Sequence, residues 1–314
     1  MKISLRIYRL TGGTGFKVYN NILDTIGNTP IVKINRLNKN PNVTVYAKLE
    51  GFNPTGSIKD RIALKMIEQA EEDGVLTKGK TIIEATSGNT GIALAMIGRV
   101  KGYDVTIVMS DAVSIERRKM VLAFGAKIVL TDGEKGTDGA IIKTGELLKE
   151  FPDKYYNPDQ YSNETNKLTH YFTTSEEIWQ QTCGDITHFV SAIGTSGTIM
   201  GVGMGLKQKN ASVKVVEAHP VAGHYIQGLK SMQEAIVPGI YDPDKIDISI
   251  KVDTEDAFAM SRRIVAEEAI FVGMSSGAAM LAALEVANSI DSGTIVVMLP
   301  DRGEKYLSTV LFQV

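Results

Sequence analysis

Apolar residues first gather in short alternating runs. Thr29 to Leu37 and Val43 to Leu49 are two of them, separated by an Asn-rich turn that contains Pro41, and they predict a hairpin. The spacing then lengthens to that of a helix. Ile58, Ile62, Leu64, Met66, Ile67 and Ala70 mark a helical face beginning at Lys59. From there the two periods alternate: strand Lys80 to Glu84, helix Ile92 to Val100, strand Val105 to Met109, helix Ser114 to Phe124, strand Lys127 to Leu130, helix Gly136 to Glu150. A polar segment from Pro152 to Asn166 interrupts the alternation, as a connection between domains does. A second series follows: helix Leu168 to Gln181, strand Thr187 to Ser191, helix Ile199 to Lys207 and strand Val213 to Ala218. A long loop-rich stretch, His219 to Asp247, precedes helices Asp256 to Glu268 and Ser276 to Asn288 and a last strand, Thr294 to Leu299. Repeated βα units predict parallel sheets covered by helices on both faces. The fold class expected is therefore α/β with two doubly wound domains.

Composition narrows the function. The 314 residues hold 34 Lys+Arg against 36 Asp+Glu, and a net charge of -2 recommends neither nucleic acid nor an anionic membrane as a partner. A small ligand is expected. The single cysteine, Cys183, cannot form an internal disulfide and is read as a structural thiol in a reducing compartment. No apolar run reaches the ~18 residues of a membrane span, so a cytoplasmic protein is expected. Residues 1–20 carry Lys2, Arg6, Arg9 and Lys17 without an acidic residue and read as an N-terminal arm rather than a transit peptide. His170, His188, His219 and His224 lack metal-ligand spacing, so no metal is expected.

Candidate chemistry centres on Lys59. It follows the turn Asn53-Pro54-Thr55-Gly56 and opens a helix, where the positive end of the macrodipole disfavours an ammonium and favours a neutral, nucleophilic amine. Gly51 and Gly56 have P-loop spacing, but Ser57 and Ile58 stand where that motif requires lysine. Two small-residue loops sit between a strand and a helix. Thr86-Ser87-Gly88-Asn89-Thr90-Gly91 offers amides and hydroxyls suited to a carboxylate, and Gly194-Thr195-Ser196-Gly197-Thr198 offers them for a phosphate. Each also fits an ordinary βα turn. The Gly201, Gly203 and Gly205 run falls within a helix and reads as close helix packing.

Together these parts suit a pyridoxal phosphate enzyme acting on an amino acid. Asn53-Pro54-x-Gly56-Ser57-Ile58-Lys59-Asp60-Arg61, Thr86 to Gly91, Ser114-Ile115-Glu116-Arg117-Arg118, Gly194 to Thr198 and Gly273-Met274-Ser275-Ser276-Gly277 resemble, in order, the motifs of the cysteine synthase family. The ending Asp301-Arg302-Gly303-Glu304-Lys305-Tyr306 is most similar to its B-type members. The resemblance runs from about Asn21 onward. It implies fold type II, like the tryptophan synthase β-subunit, with the cofactor in a cleft between a smaller mobile domain (53–163) and a larger one (21–52 plus 164–314). It implies that Lys59 bonds the cofactor aldehyde, Asn89 its ring hydroxyl, Gly194 to Thr198 its phosphate, and that Ser275 faces its ring nitrogen. Thr86, Ser87, Thr90 and Gln160 match the substrate-carboxylate positions, and Lys230 and Arg302 are candidate leaving-group contacts. The activity implied is β-replacement on an O-activated L-serine, O-acetyl-L-serine preferred, with sulfide or thiosulfate to give L-cysteine or S-sulfocysteine, in a homodimer. Open alternatives are O-phosphoserine as substrate, a cystathionine β-synthase, a sulfide-releasing relative and a non-catalytic cofactor-binding paralogue. Association with a serine acetyltransferase stays undecided at this point.

Overall fold

The computed structural model describes residues 18–86, 88–223, 226–234 and 236–313. Most of the expected N-terminal arm, Ser87 and His224 lie outside the described residues. The chain begins with β1 (Ile31–Lys33) and β2 (Val43–Leu49), which pair antiparallel as the hairpin pattern predicts. Next come α1 (Lys59–Glu72), β3 (Thr81–Ala85), α2 (Asn89–Lys101), β4 (Val105–Ser110), α3 (Ile115–Ala123), β5 (Lys127–Thr131), α4 (Gly136–Glu150) and β6 (Tyr155–Tyr156). The strands β5-β4-β3-β6 form one parallel sheet in that order. Every residue of β4 is buried, as a central parallel strand covered on both faces must be. One core, with Ala63, Ile67, Ile92, Ile97 and Val121, lies under α1, α2 and α3; a smaller one, with Ile83, Val108 and Ala140, lies under α4.

The second series comprises α5 (Glu164–Thr169), α6 (Ser175–Gln181), β7 (His188–Ala192), α7 (Gly197–Lys209), β8 (Lys214–Pro220), β9 (Ile248–Val252), α8 (Thr254–Glu268), α9 (Met274–Ser289) and β10 (Gly293–Leu299). The sheet order β1-β2-β10-β7-β8-β9 joins these strands to the opening hairpin. Residue 293 pairs with 43 and residue 299 with 49, in parallel. Small residues let α9 sit deep in this half: Ala278, Ala279, Ala282, Ala283 and Ala287 are all buried.

Three features depart from the pattern-based expectations. The helix expected over Leu168 to Gln181 starts at Glu164 and is interrupted by a π turn, His170–Thr174. Strand β9 occupies the Ile248-Ser249-Ile250-Lys251-Val252 alternation, which the expected loop and helix pass over, and β6 adds a two-residue edge to the smaller sheet. The Gly201 and Gly205 stripe packs as expected. A Cβ at Gly201 would strike the Lys167 carbonyl, and one at Gly205 the Ser175 side chain.

Candidate active site

A cleft of about 300 Å³ lies where the C-terminal ends of β3 and β7 face each other, the place where open parallel sheets bind ligands. Lys59, Thr86, Asn89, Thr90, Gln160, Gly194, Thr195 and Lys230 line it. It narrows to an inner cavity that adds Ser196, Thr198 and Ser275. Residues separated by more than 200 positions are thus brought together. Ser87 lies outside the described residues. Arg302 is not brought in: it packs over Gly51 and Gly56, faces Glu304 at 3.6 Å and lines a separate depression with Phe52 and Phe271. Its role as a leaving-group contact is withdrawn on that ground. Cys183 is exposed and belongs to neither cavity.

Lys59 is the first residue of α1. Its amine is lowered to about 8, first by loss of hydration and against the pull of the Asp301 carboxylate. The turn before it is held by Asp60, whose carboxylate accepts from the Thr55 amide (2.7 Å) and the Thr55 hydroxyl. Two residues on, Arg61 binds Glu50 (2.7 Å) and Glu177 (2.6 Å), and Lys48 also reaches Glu177 at 2.6 Å. This nearly dry network of two cations and two anions fastens the first turn of α1 to β2 and α6 of the larger sheet.

The Gly194 to Thr198 loop closes on the N-terminus of α7. Ser196 holds a left-handed backbone at φ +67, and its buried hydroxyl has no partner. The first amides of a helix likewise have no intrahelical acceptor. A Cβ at Gly194 would lie 2.6 Å from the Gly228 carbonyl, and one at Gly197 would strike Asn166, so the cradle tolerates only glycine at those points. Behind it, His170 contacts the Thr198 hydroxyl at 3.2 Å and Thr174 at 2.9 Å. Burial, with Lys59 and Arg61 nearby, holds its imidazole well below the usual range and therefore neutral.

The opposite wall belongs to the smaller sheet. The Thr90 hydroxyl donates to Gln160 Oε1 (2.7 Å), Gln160 Nε2 donates to the Ala85 carbonyl (3.0 Å), and the Thr86 hydroxyl accepts from the Gly88 amide (3.2 Å). Beneath them Glu84 is fully buried with one oxygen unpartnered, and burial and Asp159 push its carboxyl up to about 8. Asn166 ties the two walls, donating to the Gln160 carbonyl (2.7 Å) and the Thr195 hydroxyl (3.0 Å).

Several site residues have no assigned role in the sequence reading. Arg117 lies buried with its guanidinium 4.5 Å over the Tyr306 ring and donates to Gln227 across the cleft. Asp301 and Lys305 both bond Asn89. Their neighbours in sequence carry no sign of this, because each reaches the site from an element remote in the chain.

An aldehyde-bearing aromatic phosphate fits this arrangement. A readily neutral lysine, an anion cradle with an orphaned hydroxyl, and a side-chain amide share one cavity. Residues 22–301 match the family described as pyridoxal-phosphate dependent enzyme. The chain is 47% identical to the cysteine synthase of Aquifex aeolicus over 94% of this chain and 93% of that protein. The crystal structure of cysteine synthase from Entamoeba histolytica superposes with a TM-score of 0.89 at 40% identity, covering 100% of this chain and 94% of that one. A hydrogen sulfide-producing enzyme from Fusobacterium nucleatum superposes at 0.88 and 41% identity, covering 92% of this chain and 100% of that one. The chain belongs to the fold-type II pyridoxal-phosphate dependent enzymes and, within them, to the cysteine synthase family. Among the described residues no group of side chains could hold a metal ion, and no helix is long and apolar enough to cross a membrane.

Proposed function

We propose that this enzyme replaces the β-substituent of an O-activated L-serine, with O-acetyl-L-serine the preferred substrate, using sulfide to give L-cysteine or thiosulfate to give S-sulfocysteine. The observation that carries the reading is Lys59, an amine lowered to about 8, set between a cradle for phosphate and a hydroxyl-lined wall for carboxylate. Bound pyridoxal phosphate supplies the sink for electrons released at the substrate α-carbon. The protein does the rest. Gly194 to Thr198 and the first turn of α7 hold the phosphate, and Thr86, Thr90 and Gln160 form the polar wall that would receive the substrate carboxylate once Thr90 releases Gln160. Lys59 Nζ, freed by the incoming substrate amine, takes the α-proton and later returns it. Ser275, a hydroxyl rather than a carboxylate, leaves the ring nitrogen without a fixed negative partner, which favours loss of the β-substituent.

The choice of ester rests on Lys230. Its ammonium lies 3.2 Å from Asp138 and 4.7 Å from the centre of the Tyr161 ring, so its charge is already matched within the cleft. A phosphoryl leaving group would have to displace Asp138, whereas an acetyl group, being neutral, needs no cation. Wild type is expected to show a higher kcat/KM for O-acetylserine than for O-phosphoserine, with a Lys230→Ala change altering the acetyl ester less than about threefold. A phosphoserine preference that collapses in Lys230→Ala would reverse the assignment. The likeness to a hydrogen sulfide-producing enzyme supports a second reading, sulfide release from cysteine. Turnover of cysteine alone, measured beside the synthetic reaction, separates the two.

A further inference from the structure

The side-chain amide of Asn89 is held at both ends. Its Oδ1 accepts from Lys305 Nζ at 3.0 Å, and its Nδ2 donates to Asp301 Oδ2 at 2.7 Å. The polarity follows from chemistry. An ammonium has only donors to offer, so the atom facing Lys305 must be the oxygen; an ionised carboxylate has only acceptors, so the atom facing Asp301 must be the nitrogen. Both jaws are fixed in turn. Lys305 also donates to the Gly56 carbonyl at 3.1 Å, and Asp301 Oδ2 accepts from the Tyr306 hydroxyl at 2.7 Å. Both side chains are buried, Lys305 at 3% and Asp301 at 2% exposure, so water does not compete for them. Asn89 lines the outer cleft and the inner cavity alike. With Oδ1 held on Lys305 and one N–H on Asp301, the amide's second N–H is its free donor.

We propose that Lys305 and Asp301 are positioning residues that lock Asn89 as a hydrogen-bond donor toward the cofactor's ring oxygen and so hold that oxygen in its ionised form. The proposal rests on the reading that Asn89 meets that oxygen. A freely turning amide would present its carbonyl as readily as its N–H and would then favour the protonated oxygen. The clamp removes that option. Lys59, Arg117, Asp301, Lys305 and Tyr306 are the charged or titratable groups around Asn89, so a direct charge effect of Lys305 on the cofactor must be told apart from an effect through the amide.

Absorption of the purified, cofactor-loaded protein makes the distinction, since the visible band reports the ionised ring oxygen and the near-ultraviolet band the protonated one. Asn89→Ala is expected to lower the visible to near-ultraviolet ratio about tenfold, the worth of one hydrogen bond to a charged oxygen. Lys305→Met is expected to move it the same way by about threefold or more, and adding Lys305→Met to Asn89→Ala should move it no further. If Asn89→Ala shifts the ratio and Lys305→Met does not, the clamp is wrong and the reading of Asn89 stands. If the two changes add, Lys305 acts by charge and the clamp is again wrong. If Asn89→Ala leaves the spectrum unchanged, the reading of Asn89 falls and the clamp falls with it. Should Lys305→Met fail to fold, the same cycle with the isosteric Asp301→Asn decides: its shift must vanish in the Asn89→Ala background, and a shift that persists overturns the proposal.

Discussion

Lys59 carries a cost that the fold bears for chemistry. Its amine is lowered from 10.5 to about 8 by lost hydration, so the folded protein stripped of cofactor holds an unfavourable ammonium at neutral pH. Unfolded, the same lysine keeps its proton up to about 10.4. Between these values the unfolded chain binds more protons, so this group's contribution to stability rises with pH from about 8 and levels off above 10.5. Lys59 keeps some contact with the cleft, which trims the penalty. Lys59→Met should therefore stabilise the cofactor-free protein by about 2 kcal/mol at pH 7, with the gain disappearing near pH 10.5. Urea titrations of both proteins at the two pH values measure it; a constant difference would assign the effect to packing. Lys59 is legible in the sequence because the turn and helix start that place it are local, and Asn89 is legible only through the family resemblance. Lys305, Asp301 and Arg117 are not, because their roles depend on partners that only the tertiary fold brings near: residue 305 meets residues 56 and 89.

The seat of α1 depends on charges contributed by three separate elements. Glu177 of α6 accepts from Arg61 and Lys48, side chains that are 3% and 0% exposed. Removing its charge leaves Lys48 with no anion in contact, and losing one partner of a buried pair typically costs about 3 kcal/mol or more. Glu177→Gln, which keeps the shape, is expected to destabilise by about 2–3 kcal/mol at pH 7. Burial pushes the Glu177 carboxyl up, but Arg61 and Lys48 outweigh it and hold the group below the ordinary 4.5, so this stabilisation is present above 4.5 and fades as pH falls below it. Denaturation at pH 7 and pH 3 checks both halves, and an equal loss at both would point to shape rather than charge. Element boundaries are legible wherever one period holds, as in α4 and β2. The π turn at His170–Thr174 is not, because no residue type marks the place where the hydrogen-bond ladder shifts. Ile248, Ile250 and Val252 do alternate. Strand β9 occupies the short stretch between the expected loop, which ends at Asp247, and the expected helix, which begins at Asp256.

Across the molecule, the two walls of the cleft belong to different sheets, and charged contacts bridge them, among them Lys230 to Asp138, Arg117 to Gln227 and the hold of Lys305 and Asp301 on Asn89. Lys59 is fastened to the larger half by the Arg61 network, whereas Thr86, Thr90 and Gln160 belong to the smaller sheet and its edge. We therefore expect the smaller half to close over bound substrate by pivoting about the start of α1, with Lys59 staying against the phosphate cradle. Cys183 is exposed in the larger half and Leu130 is exposed on β5, so Leu130→Cys creates a labelling pair. Energy transfer between dyes should change when the amino-acid substrate is added and recover as it is consumed; an unchanged signal with measurable turnover would rule out a closing motion of this kind.

Strand β10 lies between β2 and β7, although it is the last strand in the chain. On the ribosome this has a consequence. The four strands of the smaller sheet fall between residues 81 and 156 and can all pair while the chain is still being made. The larger sheet cannot follow that order. Until residues 293–299 emerge, β2 and β7 each present an open edge, the kind of surface on which nascent chains mispair. The larger sheet is thus completed at its centre, last of all, and translation that stops short of β10 would yield a folded smaller half attached to a sheet lacking its middle strand.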